Sequence, residues 1–441
     1  MIEHKEECTF AVCGPVDAGK SSLIGVLTSG ELDDGRGFAR EKILKHQHEL
    51  ESGRTSNITF NPIIYKKNND GTFLYSVKEG MKKLLKISDH NSESNFEKII
   101  SFIDLAGHEK YFKTTVYGVT GLFPDYGLVV IAANTGITKL TREHIGILFY
   151  LKIPFMICIT KIDLAPSHVY HQLCNRLKNL LSRNNYNKIV YFISDSQSKY
   201  EETNIYIDKM INNTEIIPII SISNKEGINI DNLHLILSNI PNRKRWNKDE
   251  VGGSIVYLDS NFQVPGIGLV LSGMVKGKEI AVKDKLFLGP MNGIFYPVSV
   301  RSIHNSIREI VKEAKDQGQF CFAIKFLNQK NYLERNQIKK GMVLIDDINR
   351  WKDNIVLKFK AKITILLHST TIKTGYTPLI HCGPIRQSAS IKLLDESLLR
   401  SGDNCIVEFT FQYHSEFLEK GMTFFFRDGN TKGVGEVLSL N

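Results

Sequence analysis

The seven cysteines of this chain form no C-x-x-C pair and are odd in number. That pattern argues against both a disulfide framework and a cysteine-paired zinc site. Cys13 and Cys158 lie in apolar runs and read as small core residues. No apolar run approaches the ~20 residues that cross a bilayer, so no membrane partner is expected. The charged N-terminus MIEHKEECTF is unlike a secretory leader, and a reducing compartment, the cytoplasm first, is the expected home. Internal repeats, low-complexity tracts and a basic tail are all missing. The 56 Lys and Arg against 47 Asp and Glu leave a formal charge of +9, scattered along 441 residues. Such a balance suits RNA without identifying it. The length exceeds what one core serves, so two or three domains are expected.

From residue 9 to about 240, short apolar runs alternate with helical stretches. The runs are TFAVC (9–13), IISFIDL (99–105), GLVVIAAN (127–134), FMICIT (155–160) and IIPIISIS (216–223). Continuous apolar strands separated by helices predict an α/β domain with a doubly wound parallel sheet covered on both faces. Ligands of such sheets sit beyond the carboxyl ends of the strands. Segment 66–98 reads as a polar excursion, 184–214 as containing an irregular loop, and PNRKRWNKDE (241–250) as a linker. After 250, short alternating strands punctuated by glycine, as in GIGLVLSGMVKGKE and KITILLH, predict two β-barrels. The expected domains are 1–245, 250–350 and 351–441.

Chemistry concentrates in the loops after the strands. Gly14-x4-Gly19-Lys20-Ser21 is a phosphate loop between a strand and a helix. Backbone N–H groups from Gly14 through Asp17, Ala18, Gly19 and Ser22 would cradle phosphates, with Lys20 on the β/γ oxygens and Ser21 on Mg²⁺. Asp17 either caps the following helix or bonds the loop backbone, with a monovalent-cation role as the alternative. Asp104-Leu105-Ala106-Gly107-His108-Glu109 follows the next strand. Asp104 would reach Mg²⁺, Gly107 would approach a γ-phosphate, and His108 stands where attacking water is oriented.

Base choice follows from Thr160-Lys161-Ile162-Asp163. A carboxylate there accepts both N1–H and N2–H of guanine, a donor pair adenine lacks, while the Lys161 stem would lie along the base. Ser221-Ile222-Ser223 would offer backbone N–H groups to guanine O6. Any one of these motifs occurs by chance, but four in order after four strands point to GTP/GDP. Within ELESGRTSNITF (49–60), Thr55 is the expected switch threonine on Mg²⁺, with Ser56 and Thr59 as competitors.

With these motifs in place, the chain resembles a translational-type GTPase, the superfamily of elongation factor Tu, in which histidine follows D-x-x-G. The stretches VDAGKSSLIGVLTSGELDDGRGFAR, HELESGRTS, FIDLAGHEKYFKTTVYGVTG and TKID are similar to the eukaryotic GTP-binding protein one and two family. VPGIGLVLSGMVKG, GPIRQSASI and FRDGNTKGVGEV resemble its two barrels. Members of that family carry a long N-terminal extension, whereas the first strand here begins near residue 9. The resemblance implies a P-loop GTPase domain followed by two β-barrels. It further implies GTP hydrolysis with His108 and Lys20 as catalytic residues, Ser21, Thr55 and Asp104 on Mg²⁺, and a role with tRNA, the ribosome or RNA surveillance. Thr160 replaces the usual Asn of N-K-x-D, and Ile222 the smaller Ala of S-A-x. Arg54 stands where elongation factors place an isoleucine that gates with a residue equivalent to Val16. A solvated arginine is the favoured reading over a charge supplied to the transition state.

Two other classes compete: a GTP-regulated binding module with incidental hydrolysis, and a partner GTPase of a metabolic enzyme. Lys339-Lys340 and Arg386 are candidate RNA contacts. A monomer that binds no DNA is expected.

Overall fold

The computed structural model describes residues 6–44, 58–68, 72–77, 80–86, 96–182, 186–193, 200–212, 215–243, 245–328, 332–394, 397–429 and 431–440. They fall into two compact units, one of residues 1–118 and 124–243, the other of 119–123 and 244–441.

The first unit is built on a nine-stranded sheet. Its strands are β1 (Glu6–Cys13), β2 (Thr59–Lys67), β3 (Thr72–Val77), β4 (Gly80–Lys86), β5 (Phe96–Asp104), β6 (Tyr126–Ala132), β7 (Phe155–Thr160), β8 (Ile189–Phe192) and β9 (Ile216–Ser221). They lie in the order β4-β3-β2-β5-β1-β6-β7-β9-β8. From β5 through β8 all pairings are parallel. Every residue of β6 and β7 is buried, because helices cover both faces. The parallel sheet expected from the apolar runs is therefore present, and it is extended into a mixed sheet.

That extension corrects one reading. Segment 66–98 is no mere excursion: β2 pairs antiparallel with β5, and β3 and β4 continue the sheet outward. In β2 buried and less buried residues alternate, as one covered face requires. The Asn- and Ser-rich stretch 184–214 holds β8 and a helix, Tyr200–Asn212. Helix α1 (Lys20–Ser29) buries Leu23, Ile24, Val26 and Leu27 in the same core cluster as Leu233, Ile236 and Leu237 of helix Ile230–Asn239.

In the second unit, β10 (Ser254–Val264) and β11 (Gly268–Gly277) join strands Gln319–Phe326, Ile294–His304, Lys285–Met291 and Val343–Ile345. The pairing of Lys285–Met291 with Ile294–His304 closes the first barrel. A second closed barrel is made by Lys358–Leu367, Asn404–Phe411, Ile385–Leu393, Leu379–Cys382, Thr423–Asp428 and Thr431–Leu440. Its strands alternate inward and outward residues, and Phe359, Phe409, Phe424 and Phe426 fill its interior. Ile255, Tyr257, Val343, Ile345, Trp351 and Phe417 form one apolar cluster joining the barrels. Beside it, Lys276 and Glu419 form an ion pair at 2.8 Å, and the Tyr257 hydroxyl donates to Glu419.

The end of the expected linker is built into this unit. Trp246 Nε1 donates to Asp316 Oδ1 at 2.7 Å, and its ring lies 5.4 Å from Lys276 Nζ. Cys13 and Cys158 are buried core residues, and the seven cysteines are free thiols. No helix among the described residues is long and apolar enough to cross a membrane.

Candidate active site

The loop between β1 and α1 is held by close backbone contacts. A Cβ on Gly14 would lie 2.4 Å from the Val130 carbonyl oxygen, so no larger residue fits there. Gly19, in the left-handed region at φ 86°, is the N-cap of α1 and contributes no side-chain cap. The first N–H groups of the helix are thus left to a ligand, the arrangement that binds phosphate. Lys20 follows, 7% exposed, with Nζ donating to Pro15 O at 2.9 Å. Burial pulls its pKa below the ordinary lysine range, with the nearby Asp104 carboxylate opposing that shift.

Asp104 ends β5 fully buried, and the Ser21 hydroxyl donates to its Oδ2 at 2.7 Å. A hydroxyl and a carboxylate in contact are the oxygen donors a hard divalent cation takes. Gly107 packs against the phosphate loop: a Cβ there would be 2.3 Å from Lys20 Nζ and 2.8 Å from Pro15 O. The next residue, His108, starts a short turn, and its Nδ1 accepts from the Lys110 N–H at 3.1 Å. With that bond in place the neutral ring carries its proton on Nε2, so the free edge donates.

The other end of the site forms after β7. Thr160 Oγ1 donates to Ala18 O at 2.6 Å, tying the end of β7 to the phosphate loop. Lys161 adopts the left-handed region at φ 58° and turns the chain so that Asp163 faces the cavity. Ser223 Oγ donates to Asp163 Oδ1 at 2.7 Å and fixes the carboxylate plane. Phosphate loop, Ser22, Gly107, His108, Lys161 and Asp163 line one cavity of about 580 Å³. That volume suits a nucleotide-sized ligand.

Several expectations are corrected. Ser221 and Ile222 do not line the cavity. Ser221 bonds the Tyr170 hydroxyl at 2.9 Å, while Ile222 is fully buried and spends its N–H on Ile159 O. The Ser223 N–H is likewise taken, by Ile228 O. The loop that meets the cavity is one step later, Ser223-Asn224-Lys225. Asn224 and Lys225 line it, and Asn224 Oδ1 is buried with no hydrogen-bond partner.

Asp17 is exposed at φ 59° on the cavity wall and neither caps α1 nor bonds the loop among the described residues. Thr55, Ser56 and Arg54 lie outside the described residues. Thr59 is buried in β2, opposite Asp104 in the strand register. The loop Asp33–Arg40 also lines the cavity. Its E-L-D-D-G-R-G signal was visible only as part of a longer resembling stretch.

A Gly-lined phosphate loop, a Ser–Asp cation pair and a strand-end Asp on a parallel sheet define a P-loop nucleotide-binding protein followed by two β-barrels. Residues 5–242 match the family model for the elongation factor Tu GTP-binding domain. The chain is 37% identical to GTP-binding protein 1 of Xenopus laevis over 443 residues, covering 98% of this chain and 63% of that protein. It is 33% identical to GTP-binding protein 2 of Homo sapiens over 436 residues, covering 98% and 69%. The crystal structure of a bacterial selenocysteine-specific elongation factor superposes with a TM-score of 0.66 at 19% identity, over 99% of this chain and 59% of that one. The chain belongs to the elongation factor Tu-type GTPase family, whose members hydrolyse GTP.

Proposed function

We propose that the chain is a GTP hydrolase acting as a translational-type switch with tRNA, the ribosome or another RNA partner in the cytoplasm. Residues 1–245 are its GTPase domain, and 250–350 and 351–441 its two barrels. The observation that carries the reading is that one cavity joins Lys20, Gly107 and His108 at one end to Asp163 at the other. Phosphate chemistry and base choice thus meet in one cavity of nucleotide size.

Asp163 accepts N1–H and N2–H of guanine, and Lys20 neutralises the β/γ oxygens. Water, oriented by His108, attacks the γ-phosphorus in line; the new P–O bond forms as the β–γ bridge bond breaks, giving GDP and phosphate. His108 orients through its Nε2–H edge, so the water's proton passes to phosphate oxygen instead of to the ring. Ser21 and Asp104, with Thr55 as the third expected ligand, would hold Mg²⁺, which would neutralise phosphate charge when bound. The RNA role is supported by the kinship with elongation factors and by the +9 formal charge. Lys339, Lys340 and Arg386 on the barrels are the candidates for a phosphate contact.

The test is GTP turnover by the purified protein, alone and with eukaryotic ribosomes plus aminoacyl-tRNA, against His108→Ala. Stimulation by the RNA partners and a 10²- to 10⁴-fold loss in the variant, the range for a positioned proton-transfer or orienting group, are expected. Tight GTP binding with no stimulation would instead favour a binding module with incidental hydrolysis.

A further inference from the structure

The segment Asp33–Arg40 follows α1 and is prebuilt around two carboxylates. Asp34 Oδ1 accepts the N–H groups of Arg36, Gly37 and Phe38 at 2.7, 3.0 and 3.1 Å. Asp33 accepts from Gly35 and Ala39 at 3.3 and 2.9 Å. Gly35 and Gly37 take φ of 82° and 107°, and the Arg40 guanidinium lies where a Cβ on Gly37 would be, 2.4 Å from its Nε. Both carboxylates are spent on backbone N–H groups. Neither guanidinium, Arg36 or Arg40, has a hydrogen-bond or ion-pair partner among the described residues, yet both line the nucleotide cavity.

Two anchors place this loop at one end of that cavity. The Asp33 N–H donates to Asn224 O at 2.9 Å, and the Lys225 stem lies 3.6 Å from a Cβ position on Gly35, so the loop flanks the base side. On its far side, Ala39 O approaches a Cβ position on Gly25 of α1 to 2.1 Å. Gly25 is about 7 Å along the helix from Lys20 at the usual rise per residue. The loop therefore runs from beside Asn224 and Lys225 to the middle of α1, along the wall of the cavity that Lys20, Gly107 and His108 also line.

We propose that Arg36 and Arg40 form a preorganised clamp on the phosphates that GDP and GTP share, holding either nucleotide in the site. It rests on the reading of this cavity as the guanine-nucleotide site. In this proposal the clamp acts on the α- and β-phosphates and so makes no distinction between the two nucleotides. Asp34 serves it as a positioning residue: its negative charge repels phosphate, but its three N–H bonds hold the arginines in place.

The test is release of tritiated GDP and GTP from the intact protein by filter binding, which avoids a ribose label beside the loop. Arg36→Ala and Arg40→Ala are expected to speed release of both nucleotides alike, by about three- to thirtyfold, the lower range for charge-assisted hydrogen bonds at a partly exposed site. Lysine at either position restores part of the loss. Asp34→Ala removes a negative charge, so an unstructured charge effect would slow release, whereas loss of the clamp's scaffold speeds it. Unchanged release in both arginine variants, an effect confined to GTP, or slower release from Asp34→Ala would each overturn the proposal. Arg36 is exposed and its guanidinium has no hydrogen-bond or ion-pair partner among the described residues, so its variant decides the matter even if Arg40→Ala fails to fold. Failure of the wild-type chain to bind GDP would count against the site reading instead.

Discussion

At the scale of single residues, Asp163 should set the choice of base. Its carboxylate offers two acceptors and is oriented by the Ser223 hydroxyl, so it pairs with two donors of guanine. Asparagine keeps the shape but turns one acceptor into a donor, which faces guanine's N2–H with another N–H. Asp163→Asn is expected to weaken GTP binding by at least 10²-fold and to favour XTP, whose base presents an oxygen there. Competition of GTP and XTP for the variant would read this directly, and unchanged GTP preference would remove Asp163 from the base site. Thr160 acts one layer behind. Thr160→Val swaps only the hydroxyl that reaches Ala18 O, and leaving that buried carbonyl unpaired costs about 1–3 kcal/mol. A urea midpoint lowered accordingly is expected. The motif residues were legible because loop chemistry demands particular types: glycine where a Cβ would collide, an acid where donors must be met. Asn224 was not, since an asparagine after S-I-S carries no such signature until the fold decides which serine faces Asp163.

At the scale of elements, the joint between helix Ile230–Asn239 and the antiparallel edge of the sheet depends on a buried histidine. His234 Nδ1 bonds the Tyr65 hydroxyl at 2.8 Å, and its ring stacks on Tyr75 at 4.1 Å. Burial pulls its pKa down to about 3 from 6.5, with Lys82 adding to the effect. His144, stacked on Phe112, is held down to about 3 by burial and then by Lys20. The folded pKa is depressed, so the unfolded chain takes up the proton first. The stability these groups contribute is present above pH 6.5 and lost as pH falls toward 3. Each histidine adds a slope of about 1.4 kcal/mol per pH unit in that window. His234→Gln keeps a partner for Tyr65 without a titrating ring, and its unfolding free energy between pH 6.5 and 4.5 should fall less steeply than wild type by one histidine's share. An identical slope would show that His234 does not control this window. The same joint explains what the sequence hid: the strand character of β2 to β4 comes from successive antiparallel pairing outward from β5 and from Tyr65 and Tyr75 against this helix. The fully apolar β6 and β7 needed no such context to be read.

At the scale of the whole molecule, the second unit is one body because its barrels share a buried ion pair as well as an apolar cluster. Lys276 on the first barrel and Glu419 on the second are 17% and 16% exposed, and Tyr257 and Trp246 close over them. Burial pushes Glu419 up to about 7 and Lys276 down to about 8. Desolvation therefore opposes both charges, with Asp316 favouring the charged Lys276, and the ion pair gives each buried charge a partner. Removing one partner leaves the other buried and uncompensated, which typically costs 3–5 kcal/mol, whereas replacing both with apolar residues is often neutral. Glu419→Leu and Lys276→Leu should each lower the unfolding free energy by about 3 kcal/mol, and the two together by much less than their sum. A double-mutant cycle on urea midpoints of the full chain gives the coupling. Additive losses would mean the barrels are held by the apolar cluster alone. Strong coupling would show that the two barrels move as one body, since a joint that resists separation passes rotation from one barrel to the next.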